Sequence, residues 1–230
     1  MDYTYRDIAK MIDHSLLSPV LTDRELEEGC RLAVQYDVAS ACVKPYFLKR
    51  CAGLLAGSTV AASTVLGFPH GGHTTAAKAA EAEGALRDGG VELDMVVNIG
   101  KVLSEDWPYV RQDIQAVVDV THAAGGIVKV IFENCYLADS HKIRLCGICA
   151  DAGADFVKTS TGYGTGGATI ADLTLMRRHS PPHVRIKSAG GVRTLDALLE
   201  VRALGVARSG ATRTAEMLDE CRRRIAASQL

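Results

Sequence analysis

Gly153-Ala154-Asp155-Phe156-Val157-Lys158-Thr159-Ser160-Thr161-Gly162 places a short β-favouring run between two glycines. Ala154 to Val157 follow a turn-forming glycine and read as a short buried strand. Lys158 closes that strand, ahead of small hydroxyl residues and a second glycine. A lysine in an apolar strand is costly unless it is neutral or paired. The same burial lowers an amine's pKa and makes it a usable nucleophile near neutral pH. Two readings stand at this point: a reactive amine, or a strand-end lysine that reaches water.

Outward from this strand, β-like runs alternate with longer helical stretches. Asp13-His14-Ser15, Ala39 to Val43, Thr59 to Phe68, Val91 to Val97 and Ile127 to Phe132 are expected strands before it. Val184 to Lys187 and Gly205 to Gly210 are expected strands after it. Thr22-Asp23-Arg24-Glu25 fits a capping box opening a helix to about Tyr36. Pro45 favours a helix start, Thr74 or Thr75 caps an alanine-rich helix to about Asp88, and Thr194 caps Leu195 to Leu204. Helices are also expected from about Trp107 to Ala124, from Ser140 to Ala152, from Ala168 to about His179, and at the chain's end. Such alternation calls for a parallel sheet. About eight strands in 230 residues with no composition break fit an α/β fold, a single (β/α)8 TIM barrel domain over residues 1–230. The competing doubly wound sheet is weakened because no GxGxxG follows the first strand.

The formal net charge of −1 and 5% aromatic content give no sign of nucleic acid or an anionic membrane as partner. No apolar run is long enough to span a bilayer. The start Met1-Asp2-Tyr3-Thr4-Tyr5-Arg6-Asp7 lacks the pattern of a signal peptide. Seven scattered cysteines then read as reduced thiols of a cytoplasmic protein.

Asp13, Cys42, Asp94, Lys129, Lys158 and Lys187 lie within or at the ends of apolar strands. In a (β/α)8 barrel those ends converge on one mouth. The competing explanation is a structural ion-pair network inside the barrel. Gly190-Gly191 and Gly210-Ala211-Thr212 follow the last two strands, where barrels often hold a phosphate on backbone N–H groups. A small phosphorylated carbonyl compound is the expected substrate class.

Three segments carry a resemblance: Phe156-Val157-Lys158-Thr159-Ser160-Thr161-Gly162, Ile186-Lys187-Ser188-Ala189-Gly190-Gly191-Val192-Arg193-Thr194, and Glu92-Leu93-Asp94-Met95-Val96-Val97-Asn98. With Ile12-Asp13-His14-Ser15-Leu16-Leu17, Cys42-Val43-Lys44-Pro45, Gly67-Phe68-Pro69 and Lys129-Val130-Ile131-Phe132-Glu133, the chain resembles the deoxyribose-phosphate aldolase family over nearly its whole length. The resemblance implies a Schiff-base aldolase that uses no metal and no cofactor. Such enzymes reversibly cleave 2-deoxy-D-ribose 5-phosphate to acetaldehyde and D-glyceraldehyde 3-phosphate. It implies that Lys158 is the nucleophile, that Lys187 stays protonated beside it, and that Asp94 relays protons. Lys129 is implied to belong to the substrate site and to hold Asp94 charged, against an equal reading as a plain core ion pair. Asp13 and Ser15 are implied to bond a substrate hydroxyl. Cys42 matches a cysteine near the family's active site, against a reading as small apolar packing. Thr161, Gly162, Gly190, Gly191, Gly210, Ala211 and Thr212 are implied to contact the substrate, the glycines in its phosphate loops.

Arg213 departs from the family's usual serine and is expected to bind the phosphate, against readings in which it marks another anion or points away to solvent. Lys44 also departs, standing where an uncharged residue is common. These two motivate an alternative, a Schiff-base aldolase with a different, even unphosphorylated, acceptor. A silent phosphosugar-binding barrel is the third reading. Some members use a C-terminal tail ending in tyrosine, whereas this chain ends Ser228-Gln229-Leu230. His70-Gly71-Gly72-His73 offers too few ligands for a zinc site. Cys146-Gly147-Ile148-Cys149 falls mid-helix and is expected to pack on a buried face rather than to act in redox chemistry. Arg222-Arg223-Arg224 reads as a solvated helix face. The expected partners are therefore the phosphosugar, acetaldehyde and a second copy in a homodimer, with no nucleic acid and no membrane.

Overall fold

The computed structural model describes residues 3–228; the expectations resting on Met1-Asp2 and on the terminal Gln229-Leu230 lie outside the described residues. Eight parallel strands close on themselves: β1 (Ile12–Leu16), β2 (Ser40–Val43), β3 (Ala61–Leu66), β4 (Glu92–Val96), β5 (Ile127–Ile131), β6 (Phe156–Lys158), β7 (Arg185–Ala189) and β8 (Val206–Ala211). Each strand pairs with the next, and β8 pairs with β1. The helices are α1 (Tyr5–Ala9), α2 (Asp23–Gln35), α3 (Leu48–Leu55), α4 (Thr75–Arg87), α5 (Ile99–Leu103), α6 (Trp107–Ala123), α7 (Asp139–Asp151), α8 (Ile170–His179), α9 (Leu195–Ala203) and α10 (Thr214–Ala227). The expected (β/α)8 barrel is the observed one.

The caps follow from side-chain chemistry. Thr22 accepts from the Glu25 N–H while Glu25 reaches back, the expected capping box of α2. Thr74 and Thr194 accept from the N–H groups of Ala77 and Ala197 and start α4 and α9. Pro45 opens a 3₁₀ turn, Pro45–Phe47, before α3 begins. Two short helices were not expected. α1 is held by a Thr4–Asp7 capping box, and α5 by Asn98 capping the Lys101 N–H. Five residues are too few to show a helical period.

Strand alternation separates two cores. Ile12, Leu93, Met95, Val128, Val130, Val157 and Ile186 face outward and join the helices in one large apolar cluster. The intervening residues face the barrel axis. There Leu17, Cys42 and Val65, with Phe68 against them, form a small apolar group. Val96, Ile131 and Phe156 are also buried on this inner face, beside the ionisable Asp13, Glu92, Asp94, Lys129, Lys158 and Lys187. Cys146 and Cys149 are buried in α7, on the packed face expected of them. The arginines 222–224 pair with Asp219, Glu220 and Asp196 on the surface.

Candidate active site

Strand register assembles the site. Asp94 on β4 stands beside Lys129 on β5, Ile131 beside Lys158 on β6, Lys158 beside Lys187 on β7, and Lys187 beside Arg208 on β8. The period of two then turns these side chains to the same interior. Above them opens a cavity of about 410 Å³ at the C-terminal ends of the strands. Asp13, Ser15, Cys42, Lys158, Thr161, Gly162, Lys187, Gly190, Gly191, Gly210, Ala211 and Thr212 all line it.

Asp94 lies at the hub. Its Oδ2 accepts from Lys158 Nζ at 2.8 Å and from Lys187 Nζ at 2.7 Å. Its Oδ1 accepts from Lys129 Nζ at 2.8 Å. Lys187 also pairs with Asp13 at 2.5 Å. All of these side chains are buried. Burial alone would raise the Asp94 carboxyl, but Lys129, Lys158 and Lys187 reverse this and hold it well below the usual carboxylate range. Asp13 is lowered for the same reason: burial is outweighed by Lys187, Lys129 and Arg208.

The two lysines of the cavity are driven apart. Burial pushes the Lys158 amine down, and the neighbouring Lys187 cation adds to this while Asp94 opposes it. For Lys187 burial acts in the same direction, but Asp13 and Asp94 outweigh it and raise the amine. The two amines are thus shifted in opposite directions, Lys158 down and Lys187 up. Burial is the larger of the two lowering causes and the cationic neighbour the smaller; both belong to the sequence expectation.

Two expected contacts need correction. Lys129 does not line the cavity; it lies beneath Asp94, paired to Glu92 at 2.7 Å and 3.7 Å from Asp13. Its amine is raised because Asp94, Glu92 and Asp13 outweigh burial. It therefore sits as a buried cation under the carboxylate rather than as a substrate contact. Arg213 is exposed at the N-cap of α10 and is not part of the cavity wall. Residue 213 takes the N-cap position where the chain enters α10, and its side chain makes no capping hydrogen bond. Lys44 also lies off the cavity, donating to the Pro19 carbonyl at 3.2 Å. The two departures that motivated a different acceptor are thus both outside the pocket.

Other residues enter that the sequence reading did not single out. Arg193, exposed just after the Gly190-Gly191 turn, lines the cavity and brings a cation to its wall. Tyr163 lines it too, donating from its hydroxyl to the Leu17 carbonyl at 2.7 Å and standing edge-on to Phe68. The buried Glu133 carboxylate accepts from the Thr161 N–H at 3.1 Å and from the Thr161 hydroxyl, anchoring the loop after Lys158. That loop then packs on the next one: a Cβ on Gly167 would lie 2.7 Å from the Gly190 carbonyl. Glu92 and Arg208 stand two residues before Asp94 and Gly210, a spacing that could have revealed them. Among the described residues no group of three or more His, Cys, Asp or Glu side chains gathers as metal ligands would. No helix among them is long and apolar enough to cross a membrane.

The arrangement can form a covalent imine on one amine, keep a second amine charged beside it, and hold a carboxylate ionised between them. Comparison with known proteins agrees. The family model for DeoC/LacD family aldolases matches residues 8–212. A deoxyribose-phosphate aldolase from Rhodopirellula baltica is 63% identical over 224 residues, covering 97% of this chain and 93% of that one. Another from Thermococcus gammatolerans is 44% identical over 218 residues, covering 94% of this chain and 97% of that one. The solved deoxyribose phosphate aldolase of Aeropyrum pernix, described as a unique tetramer, superposes with a TM-score of 0.88 at 29% identity, over 95% of this chain and 92% of that one. The chain belongs to the DeoC/LacD aldolase family.

Proposed function

We propose that this chain is a class I aldolase that reversibly cleaves 2-deoxy-D-ribose 5-phosphate to acetaldehyde and D-glyceraldehyde 3-phosphate, with residues 1–230 acting as one domain. The observation that carries this reading is the shared Asp94 Oδ2, which brings the Lys158 and Lys187 amines to one oxygen beneath an open cavity. In the proposed reaction the neutral Lys158 amine attacks the substrate aldehyde carbon. The carbinolamine loses water and becomes a protonated imine. The β-hydroxyl proton leaves through water to Asp94, and that hydroxyl becomes the new carbonyl. The electron pair of the breaking carbon–carbon bond moves to the iminium, leaving an enamine. Protonation of the enamine carbon and hydrolysis of the imine return acetaldehyde and the free amine.

Asp13 and Ser15 are the proposed partners of a substrate hydroxyl, because both line the cavity beside Lys187. Cys42 is proposed as wall rather than as reactant: it packs with Leu17 and Val65, and burial raises its thiol. Gly162, Gly190, Gly191, Gly210, Ala211 and Thr212, with Arg193, are proposed to hold the phosphate. Arg193 supplies the positive charge that Arg213 was expected to bring. The free state of all seven cysteines supports a cytoplasmic location. The proposed assembly is a homodimer, and sedimentation velocity tests it against the tetramer described for the Aeropyrum pernix relative.

Acetaldehyde with borohydride tests the core of the proposal. An ethyl adduct is expected at Lys158 by peptide mapping. Lys158→Ala is expected to lose both the adduct and cleavage while keeping its circular dichroism. An adduct elsewhere, or an active Lys158→Ala protein, overturns it.

A further inference from the structure

Beneath the cavity the barrel holds a second tier of charge. Arg208 on β8 donates to both oxygens of Glu92 on β4, at 3.0 and 3.3 Å, and also to Asp13 on β1. Glu92 in turn binds Lys129 at 2.7 Å. The chain of contacts therefore runs from Arg208 to the cavity by two routes. One passes through Asp13 to Lys187, and the other through Glu92 and Lys129 to Asp94. Phe156 on β6 lies against the Arg208 guanidinium, 5.8 Å from its ring centroid, with Arg185 at 4.0 Å on the same ring.

The charges in this cluster can be counted. Three carboxylates (Asp13, Glu92 and Asp94) face Lys129, Lys187 and Arg208, and Lys158 is the seventh group. With Lys158 uncharged the cluster is neutral; with Lys158 protonated it carries one excess positive charge in a poorly solvated interior. Such an excess is disfavoured. The groups that act directly on Lys158 are Cys42 on β2, Asp94 on β4 and Lys187 on β7; Asp13, Glu92, Lys129 and Arg208 join them through the contacts above, and Arg185, exposed at the start of β7, lies outside the buried count.

We infer that Arg208 and Glu92 are positioning residues whose charges complete this neutral count, so that the floor of the barrel helps to set the pH at which Lys158 becomes a nucleophile. The inference rests on Lys158 being the Schiff-base lysine. The burial-driven lowering of the Lys158 amine is consistent with it. Neither floor residue lines the cavity, so neither touches substrate.

The two partners give opposite signs, which a purely structural ion pair would not. Glu92→Gln removes a negative charge and disfavours protonated Lys158. The acid limb of acetaldehyde trapping at Lys158 then moves to lower pH, by roughly one pH unit for a charge about 10 Å away. Arg208→Met removes a positive charge and moves the limb up by a similar amount. Arg208→Lys keeps the charge and leaves it in place. The double variant Glu92→Gln/Arg208→Met restores neutrality and returns it to the wild-type position.

The measurement is the pH dependence of cyanoborohydride-trapped adduct on Lys158, read by mass spectrometry, beside kcat/KM against pH. Opposite shifts with recovery in the double variant support the inference. Shifts of the same sign, or limbs that stay put while only the melting temperature falls, overturn it. If Arg208→Met fails to fold, the downward shift in Glu92→Gln decides. If neither single variant folds while the double does, the pair is structural and the inference is overturned. An absent adduct in the wild type would sink the Lys158 assignment instead, which keeps the two failures apart.

Discussion

Replacing Lys187 by methionine separates the two causes that lower Lys158. The two Nζ atoms share Asp94 Oδ2 at 2.8 and 2.7 Å, so they stand roughly 5 Å apart. One unit charge at roughly 5 Å and an effective dielectric of about 20 is worth about 3 kcal/mol, or about two pH units on the neighbouring amine. Loss of Lys187 also leaves Asp13 and Asp94 with one cation fewer, which acts in the same direction. The Lys158 amine should therefore hold its proton to higher pH, and the acid limb of acetaldehyde trapping should rise by about two pH units. At a pH on that limb the trapping rate falls roughly 100-fold, and it recovers at higher pH. Imine formation is the right assay because it needs the free amine and not the later cleavage step. Breaking a buried ion pair costs about 3–5 kcal/mol, so a thermal melt must first establish that the variant is folded at the assay temperature. A limb that stays in place in a folded variant would mean that burial alone sets the amine. The neighbouring Lys187 cation would then have no part in setting it.

Arg193→Met should raise KM for deoxyribose 5-phosphate by about 10- to 100-fold, the value of a charge-assisted contact. Turnover of unphosphorylated deoxyribose should be unchanged, and Arg213→Met should be neutral for both substrates; the reverse pattern refutes the placement of the phosphate. His14 faces outward on β1, its Nδ1 2.8 Å from Thr214 Oγ1, and burial pushes its imidazole down to about 4 from 6.5. The unfolded chain therefore binds the extra proton between about pH 6.5 and 4, and stability falls as pH falls through that window. The total is about 3 kcal/mol. Urea melts across that range should show this slope in the wild type and lose it in a folded His14→Gln variant; parallel slopes refute the assignment.

The strands could be placed from sequence because turn-forming glycines and capping threonines punctuate apolar runs, and these act within a few residues. Lys158, Lys187 and Asp94 were visible for a related reason. Each is a charge in or at the end of a run that would otherwise be wholly apolar, a local contradiction that needs a partner. The partner itself is not local. Asp94 and Lys187 come together only because β4 and β7 face across a closed barrel. Glu92 lies two residues before Asp94 on the same strand, but its pairing with Arg208 depends on strands that meet across the barrel. Lys129 shows the converse: its face was legible, but its depth below Asp94 was not.

Loop residues were the hardest to place. Arg193 and Arg213 both follow glycine-containing turns at strand ends, and their surroundings in the sequence look alike. One lines the cavity and the other caps a helix on the outside, because the direction of each turn is set by what packs against it. By itself the sequence determined the order of the strands, the barrel and the presence of two lysines in its interior, since these follow from short-range periodicity and from charges that apolar strands cannot leave unpaired. The tertiary structure alone decided which charges pair beneath Asp94 and which arginine lines the cavity beside the Gly190-Gly191 turn. Those depend on strand register and loop packing between residues far apart in the chain, where no local spacing carries the information.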